Sequence, residues 1–228
     1  MRGLFVTATG TGVGKTVVAA SIVAALRARG ERAVPFKPVV TGRDEPVDPD
    51  WPPDDVLLAA AADMRAEDVT AARFGPPVSP HLAAELVSTP LDPALLRGAF
   101  DARAAEAETV IVEGVGGLLV PLARDYLVRD FAVDLGLPLV IAASPGLGTI
   151  NHTLLTLEAA RGAGLRVAGV VMTPWPDTPS VMEEDNRATI ARLGEVEVAT
   201  LATLPRADPA LLAEAGASLP LDRWLGAS

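Results

Sequence analysis

A short apolar run, Leu4-Phe5-Val6, leads into Thr7-Ala8-Thr9-Gly10-Thr11-Gly12-Val13-Gly14-Lys15-Thr16, and a helix-like stretch from Val17 to Arg29 follows. Strand, glycine-rich turn and helix in that order constrain the chain more than any other feature. The turn lets successive backbone N–H groups converge on phosphate oxygens, and the helix N-terminus adds its partial positive charge. Lys15 is placed to reach the terminal phosphates of a nucleotide, and the Thr16 hydroxyl to ligate Mg²⁺. The strict pattern G-x-x-x-x-G-K-[ST] asks for glycine where this chain has Thr9.

The rest of the chain repeats the alternation. Apolar runs at Leu4–Val6, Ala33–Phe36, Thr109–Val112, Leu137–Ala142, Val167–Met172 and Val196–Leu201 are short, rich in β-branched residues and non-alternating, as buried parallel strands are. Helical stretches are predicted at about 17–29, 54–63, 80–87, 92–106, 149–163 and 180–193. The expected fold is α/β of the phosphate-loop type, a mostly parallel twisted sheet with helices on both faces. Its 228 residues suit a single domain over 1–228. Two stretches rich in breakers, Arg43 to Pro53 and Pro174 to Pro179, read as loops over a site.

Composition narrows the function. The net charge of −10 argues against nucleic-acid binding, which needs a basic footprint. With no cysteine there are no disulfides, thiolate metal sites or Cys nucleophiles. A strand that starts within the first few residues predicts no signal peptide, and no apolar run is long enough to span a bilayer, so a cytoplasmic location is expected.

Polar residues follow the apolar runs. The chain has only two lysines, Lys15 and Lys37, and both are read at strand ends. A lysine leaving a buried strand in Phe36-Lys37-Pro38-Val39-Val40-Thr41-Gly42 is costly unless it meets an anion, so Lys37 is a candidate for γ-phosphate binding or for stabilising charge on an attacking group. Asp54 and Asp55 open a helix. They are either dipole-stabilising acids or a Mg²⁺ ligand, and spacing does not choose between them. Glu113 ends an apolar strand and is followed by Gly114-Val115-Gly116-Gly117, the place of the acidic metal partner in phosphate-loop enzymes. Gly148-Thr149-Ile150-Asn151 reads as a helix start whose free N–H groups suit a carboxylate. His81 and His152 receive no role, a transition-metal site is not expected, and no G-x-S-x-G elbow occurs.

In order and spacing, these motifs resemble the dethiobiotin synthetase family from Phe5 to about Pro205. Thr7 to Thr16 is similar to its phosphate loop T-G-T-x-T-x-V-G-K-T, with Ala8 for glycine. Lys37-Pro38-Val39 with Thr41-Gly42 resembles K-P-V-x-[ST]-G, Glu113 to Gly117 resembles E-G-A-G-G, and Leu147 to His152 resembles L-G-[TC]-[IL]-N-H. The resemblance implies ATP- and Mg²⁺-dependent closure of the ureido ring of dethiobiotin from 7,8-diaminopelargonate and CO₂, through a carbamate and a carbamic–phosphoric anhydride, in biotin biosynthesis. It implies that Lys15, Lys37 and Thr11 act at the transferring phosphoryl group. Thr16, Glu113 and Asp55 are implied as metal ligands, Asp55 being preferred because it directly precedes the apolar helix. Nucleotide contacts are implied at Gly12, Val13, Gly14, Lys15, Thr16, Val17, Gly114, Val115, Gly116, Thr173 and Pro205. Diamine contacts are implied at Thr41, Gly116 and Gly117. The stretch Leu147, Gly148, Thr149, Ile150 and Asn151 is implied to reach the substrate carboxylate from a partner subunit, hence a homodimer with shared sites. One departure stands out: Thr173-Pro174 replaces the Asn-Asp that reads adenine in many members, which predicts weakened base selectivity.

Two alternatives were weighed. A partitioning or septum-site switch ATPase shares sheet and loop but needs an early lysine, as in K-G-G-x-G-K-T, where this chain has Gly10. A cobyrinate amide synthetase is usually longer and carries a glutaminase domain.

Overall fold

A computed structural model describes residues 2–226. Seven strands form one sheet in the order β3-β2-β4-β1-β7-β8-β9. They are β1 (Arg2–Ala8), β2 (Ala33–Val40), β3 (Thr70–Arg73), β4 (Thr109–Glu113), β7 (Leu139–Ala143), β8 (Val167–Trp175) and β9 (Val198–Ala202). Every neighbouring pair is parallel. A small antiparallel pair, β5 (Pro121–Ala123) with β6 (Tyr126–Leu127), lies apart from it. The helices are α1 (Lys15–Ala28), α2 (Asp54–Ala62), α3 (Pro80–Leu86), α4 (Pro93–Ala104), α5 (Val128–Leu135), α6 (Thr149–Gly162), α7 (Val181–Gly194), α8 (Pro209–Ala217) and α9 (Leu221–Leu225).

Alternation along each strand sorts side chains between two cores. From β1, Leu4, Val6 and Ala8 pack with α1, α2, α8 and α9, while Phe5 turns to the opposite face among Phe36, Phe100 and Phe131. Ile111 of β4 joins the first group, and Val110 and Val112 the second. A third cluster, with Ile141, Met172, Leu157 and Ile190, continues the opposite face under α6 and α7. Burial on both faces explains why these strands read as unbroken apolar runs.

The expected strands and helices are all present, with shifted ends. β2 runs on to Val40, so Lys37 is an interior strand residue, paired in register with Thr70, rather than a strand-end one. β8 extends through Thr173-Pro174 to Trp175, so the expected loop at Pro174 begins two residues later. β3, β5, β6, α5, α8 and α9 have no counterpart in the sequence reading. Thr9 donates its N–H to Ala142 O and has no positive φ, so this chain has no need of the glycine that the strict motif puts there.

α8 lies so close on α1 that a Cβ on Gly216 would sit 2.0 Å from Ser21 O. Gly216→Ala is expected to cost about 1–3 kcal/mol by overpacking, read as a lower urea midpoint. An unchanged midpoint would contradict the helix contact.

Candidate active site

Register brings four polar side chains to one end of one sheet face. Glu113 is in phase with Ile111, and Lys37 is out of phase with Phe36, so both turn to the face covered by α1 and α2. Thr16 enters from the first turn of α1 and Asp54 from the first turn of α2. They meet at hydrogen-bond distance. Lys37 Nζ donates to Glu113 Oε1 at 2.8 Å and to Asp54 Oδ2 at 2.8 Å. Thr16 Oγ1 lies 2.8 Å from Asp54 Oδ1 and 2.8 Å from Glu113 Oε1, and its one proton can go to either.

Burial makes this cluster strongly coupled. Glu113 is fully buried and Lys37 is 2% exposed. Burial alone would pull the Lys37 ammonium down, but the Glu113 and Asp54 carboxylates outweigh it and hold the side chain protonated, above its usual range. Burial would likewise push Asp54 up. The Lys37 ammonium and the Thr16 hydroxyl prevail, and its carboxyl is held down at about 2. Lys15, also buried, is pushed down mainly by burial, against the pull of Glu113.

The phosphate loop arches over this cluster. Gly14, at φ +93, turns the chain into α1, and a Cβ there would also lie 2.9 Å from the Thr173 methyl, so the position demands glycine twice over. Gly12 has φ +73. A cavity of about 700 Å³ opens beside the loop, lined by Thr11, Gly12, Gly14, Lys15, Thr16, Val17, Lys37, Thr41, Gly42, Asp54, Val115 and Gly116 among others. A second, of about 440 Å³, shares Thr11 and Val120 with it and is lined by Gly117, Leu119, His152 and Leu155. Thr11 therefore stands at the junction of the two.

The two adjacent aspartates separate sharply. Asp55 faces inward, fully buried, with Oδ2 2.8 Å from Arg73 Nε and Oδ1 3.2 Å from Arg43 Nη1. Both its oxygens are engaged away from Thr16 and Glu113. The expectation that Asp55 is the metal ligand is therefore corrected: the carboxylate beside Thr16 and Glu113 is that of Asp54. Asp55 instead ties the Arg43 loop and β3 to α2.

Other expected residues distribute as follows. Gly114 is buried behind Glu113, with its carbonyl oxygen 3.5 Å from Lys37 Nζ. Thr173 is 2% exposed beneath Gly14. Val13, Thr173 and Pro205 do not line the larger cavity, and neither does any residue from Leu147 to Asn151. Thr149 does open α6, with Gly148 as its cap, and the side chains of Leu147 and Asn151 are exposed. The breaker-rich stretch Arg43 to Pro53, expected as a loop over a site, supplies Glu45, Trp51 and Pro52 to the cavity wall, whereas Pro77 and Ser79 in that wall were not expected. The breaker-rich run Pro76-Pro77-Val78-Ser79-Pro80 was an available signal for the last two.

The oxygens of Thr16, Asp54 and Glu113 are hard donors of the kind Mg²⁺ takes. Glu113 Oε2 is buried with no hydrogen-bond partner, an acceptor left unspent behind Lys37 and Thr16, which line the cavity while Glu113 itself does not. The residues therefore fit a divalent ion.

Comparisons with known proteins agree with this geometry. A family model described as an AAA domain matches residues 2–211. The ATP-dependent dethiobiotin synthetase BioD of Anaeromyxobacter dehalogenans (strain 2CP-1 / ATCC BAA-258) is 47% identical over 210 residues, covering 90% of each chain. That of Bacillus subtilis (strain 168) is 35% identical over 201 residues, covering 87% of this chain and 85% of its own. Among solved structures, the MinC:MinD cell division protein complex of Aquifex aeolicus matches with a TM-score of 0.61 at 14% identity, over 100% of this chain and 97% of that one. A ParA family ATPase from Chlorobium tepidum TLS matches with a TM-score of 0.57 at 12% identity, over 100% and 94%. At those identities the structural matches speak for the sheet and phosphate loop alone, whereas the sequence matches run nearly end to end: the chain belongs to the ATP-dependent dethiobiotin synthetase family.

Proposed function

We propose that this chain closes the ureido ring of dethiobiotin from 7,8-diaminopelargonate, CO₂ and ATP, as one phosphate-loop α/β domain. The observation that carries this reading is the meeting of Lys37, Asp54, Glu113 and Thr16 beneath a phosphate loop, beside a cavity that shares Thr11 and Val120 with a second one. A triphosphate and a second, elongated substrate can lie there end to end.

One amine of the diamine adds to CO₂ and loses a proton, giving a carbamate. A carbamate oxygen then attacks the γ-phosphorus, and the bond from that phosphorus to the bridging oxygen of ADP breaks. The second amine attacks the carbonyl of the resulting carbamic–phosphoric anhydride, phosphate leaves, and a proton is lost as the ring closes. No protein nucleophile is required, so the protein's part is positioning and electrostatics. Lys15 and Lys37 bring two cations to the transferring phosphoryl group. The Thr11 hydroxyl donates where the cavities meet, and Thr41, Gly116 and Gly117 face the diamine. Thr16, Asp54 and Glu113 would hold Mg²⁺, which neutralises phosphate charge when bound.

We further infer a homodimer in the cytoplasm. Leu147 is 94% exposed just before α6, and Leu119 and Leu155 in the wall of the second cavity are also exposed. Apolar groups so placed suit burial by another copy of the chain, and its α6 N-terminus would meet the substrate carboxylate. Among the described residues no helix is long and apolar enough to cross a membrane. Thr173 offers one hydroxyl beneath Gly14 and no amide, which supports relaxed selection of the nucleotide base.

The test is one assay. Protein, diamine, bicarbonate, Mg²⁺ and ATP are expected to yield dethiobiotin and phosphate, with CTP and GTP within about tenfold of ATP. Folded protein that releases no diamine-dependent phosphate would overturn the reading, and a strong preference for ATP would overturn its base-selectivity part. The aspartates give a second prediction. Asp54→Asn is expected to lower kcat/KM at least about 100-fold, since a lost metal ligand removes several kcal/mol of transition-state stabilisation. Asp55→Asn should stay within about tenfold while costing about 1–3 kcal/mol of stability, because two arginines lose their shared charge. The opposite pattern in paired kinetics and urea unfolding would restore Asp55 to the metal set.

A further inference from the structure

Lys37 holds two of the carboxylate oxygens that a divalent ion would draw on. Its Nζ lies 2.8 Å from Asp54 Oδ2 and 2.8 Å from Glu113 Oε1. Thr16 Oγ1 lies 2.8 Å from that same Glu113 oxygen and 2.8 Å from the other Asp54 oxygen. Two carboxylates thus hold the ammonium, and the Thr16 hydroxyl ties the same two carboxylates together. Mg²⁺ holds its oxygens at about 2.0–2.1 Å in a near-octahedral shell. It cannot take Glu113 Oε1 and Asp54 Oδ2 while the ammonium holds those two oxygens, which leaves it only Glu113 Oε2 and Asp54 Oδ1 on the two carboxylates.

We propose that Lys37 is a built-in substitute for the divalent ion, holding the metal ligands while the nucleotide is absent and giving them up to Mg²⁺ when it arrives with the triphosphate. This rests on the site holding a metal–triphosphate complex, as argued above. Charge supplies the reason for the coupling. With all four ionised, Asp54 and Glu113 bring two negative charges and Lys15 and Lys37 two positive ones, a neutral set, although burial pushes the Glu113 carboxyl up and the Lys15 ammonium down. Metal alone would leave two uncompensated positive charges beside groups that are 0–2% exposed, Glu113 and Lys37. Triphosphate alone would leave an excess of negative charge. Uncompensated charge out of water is costly, so the two load together and free metal is kept out. The flexible four-carbon stem of Lys37 lets its ammonium move from the carboxylates to the phosphates without a change in the sheet. One residue would then act twice, first as guard of the metal ligands and then as cation at the γ-phosphate.

The test is Mn²⁺ binding to nucleotide-free protein, read from the electron paramagnetic resonance signal of free Mn²⁺. Lys37→Met and Lys37→Gln are both expected to bind Mn²⁺ about tenfold more tightly than the unaltered protein, and Mn²⁺ should raise their melting temperatures more than its own. A gain below about threefold in the folded variants would overturn the proposal. A variant that unfolds in metal-free buffer should be recovered by Mn²⁺ alone, and failure to recover counts against the proposal equally. Titration with Mn²⁺–ATP separates the two layers. If the unaltered protein takes up no Mn²⁺–ATP, the metal–triphosphate reading itself fails. If it does, and the variants gain no affinity for free Mn²⁺, only the exchange fails.

Discussion

The Lys37–Glu113 contact sits where water is excluded, and most of the site follows from it. A carboxylate at the end of a buried parallel strand needs a cation close by, and β2, next to β4 in the sheet, supplies one from its interior. Once these two charges are fixed, α1 and α2 can bring only side chains that extend the same hydrogen-bond set. Thr16 and Asp54 do so, each from a first helical turn. The cluster is therefore held by four elements at once, and the phosphate loop is registered against it through the start of α1. Removing either buried partner would strand the other, which makes the arrangement hard to alter by single steps.

The same sheet end supports very different chemistry in proteins of similar fold. A MinC:MinD cell division protein complex and a ParA family ATPase share the fold with this chain at 14% and 12% identity. What separates the readings lies beyond the loop: the interior lysine of β2, the Gly116-Gly117 turn beside Thr11, and the second cavity lined by His152 and Leu155. On the proposed function, these residues would take the second reactant next to the phosphoryl group.

Much of this was legible in the chain, for local reasons. The glycine turn, the acid after Thr109–Val112 and the unbroken apolar runs are written in consecutive residues and need no partner to be read. What failed was non-local. Neighbouring positions on a helix point about 100° apart, so whether Asp54 or Asp55 faces Thr16 depends on how α2 rolls against the sheet. That roll is set by Arg43 and Arg73, from a loop and a strand that the spacing of Asp54 and Asp55 does not reveal. β3 is four residues long and half polar, too short for a pattern, and exists because β2 offers it an edge. α8 carries a local signal, Asp208 capping the helix before Pro209, but its packing depends on Gly216 fitting against Ser21.

If the chain acts as proposed, a carbamate oxygen rather than water receives the γ-phosphoryl group. Turnover with ¹⁸O-labelled CO₂ in unlabelled water, under conditions where exchange is slow, tests it directly by mass spectrometry of the released phosphate. The account predicts one labelled oxygen per phosphate, formed only when diamine is present. Unlabelled phosphate formed at the same rate would contradict it and return the chain to simple nucleotide hydrolysis.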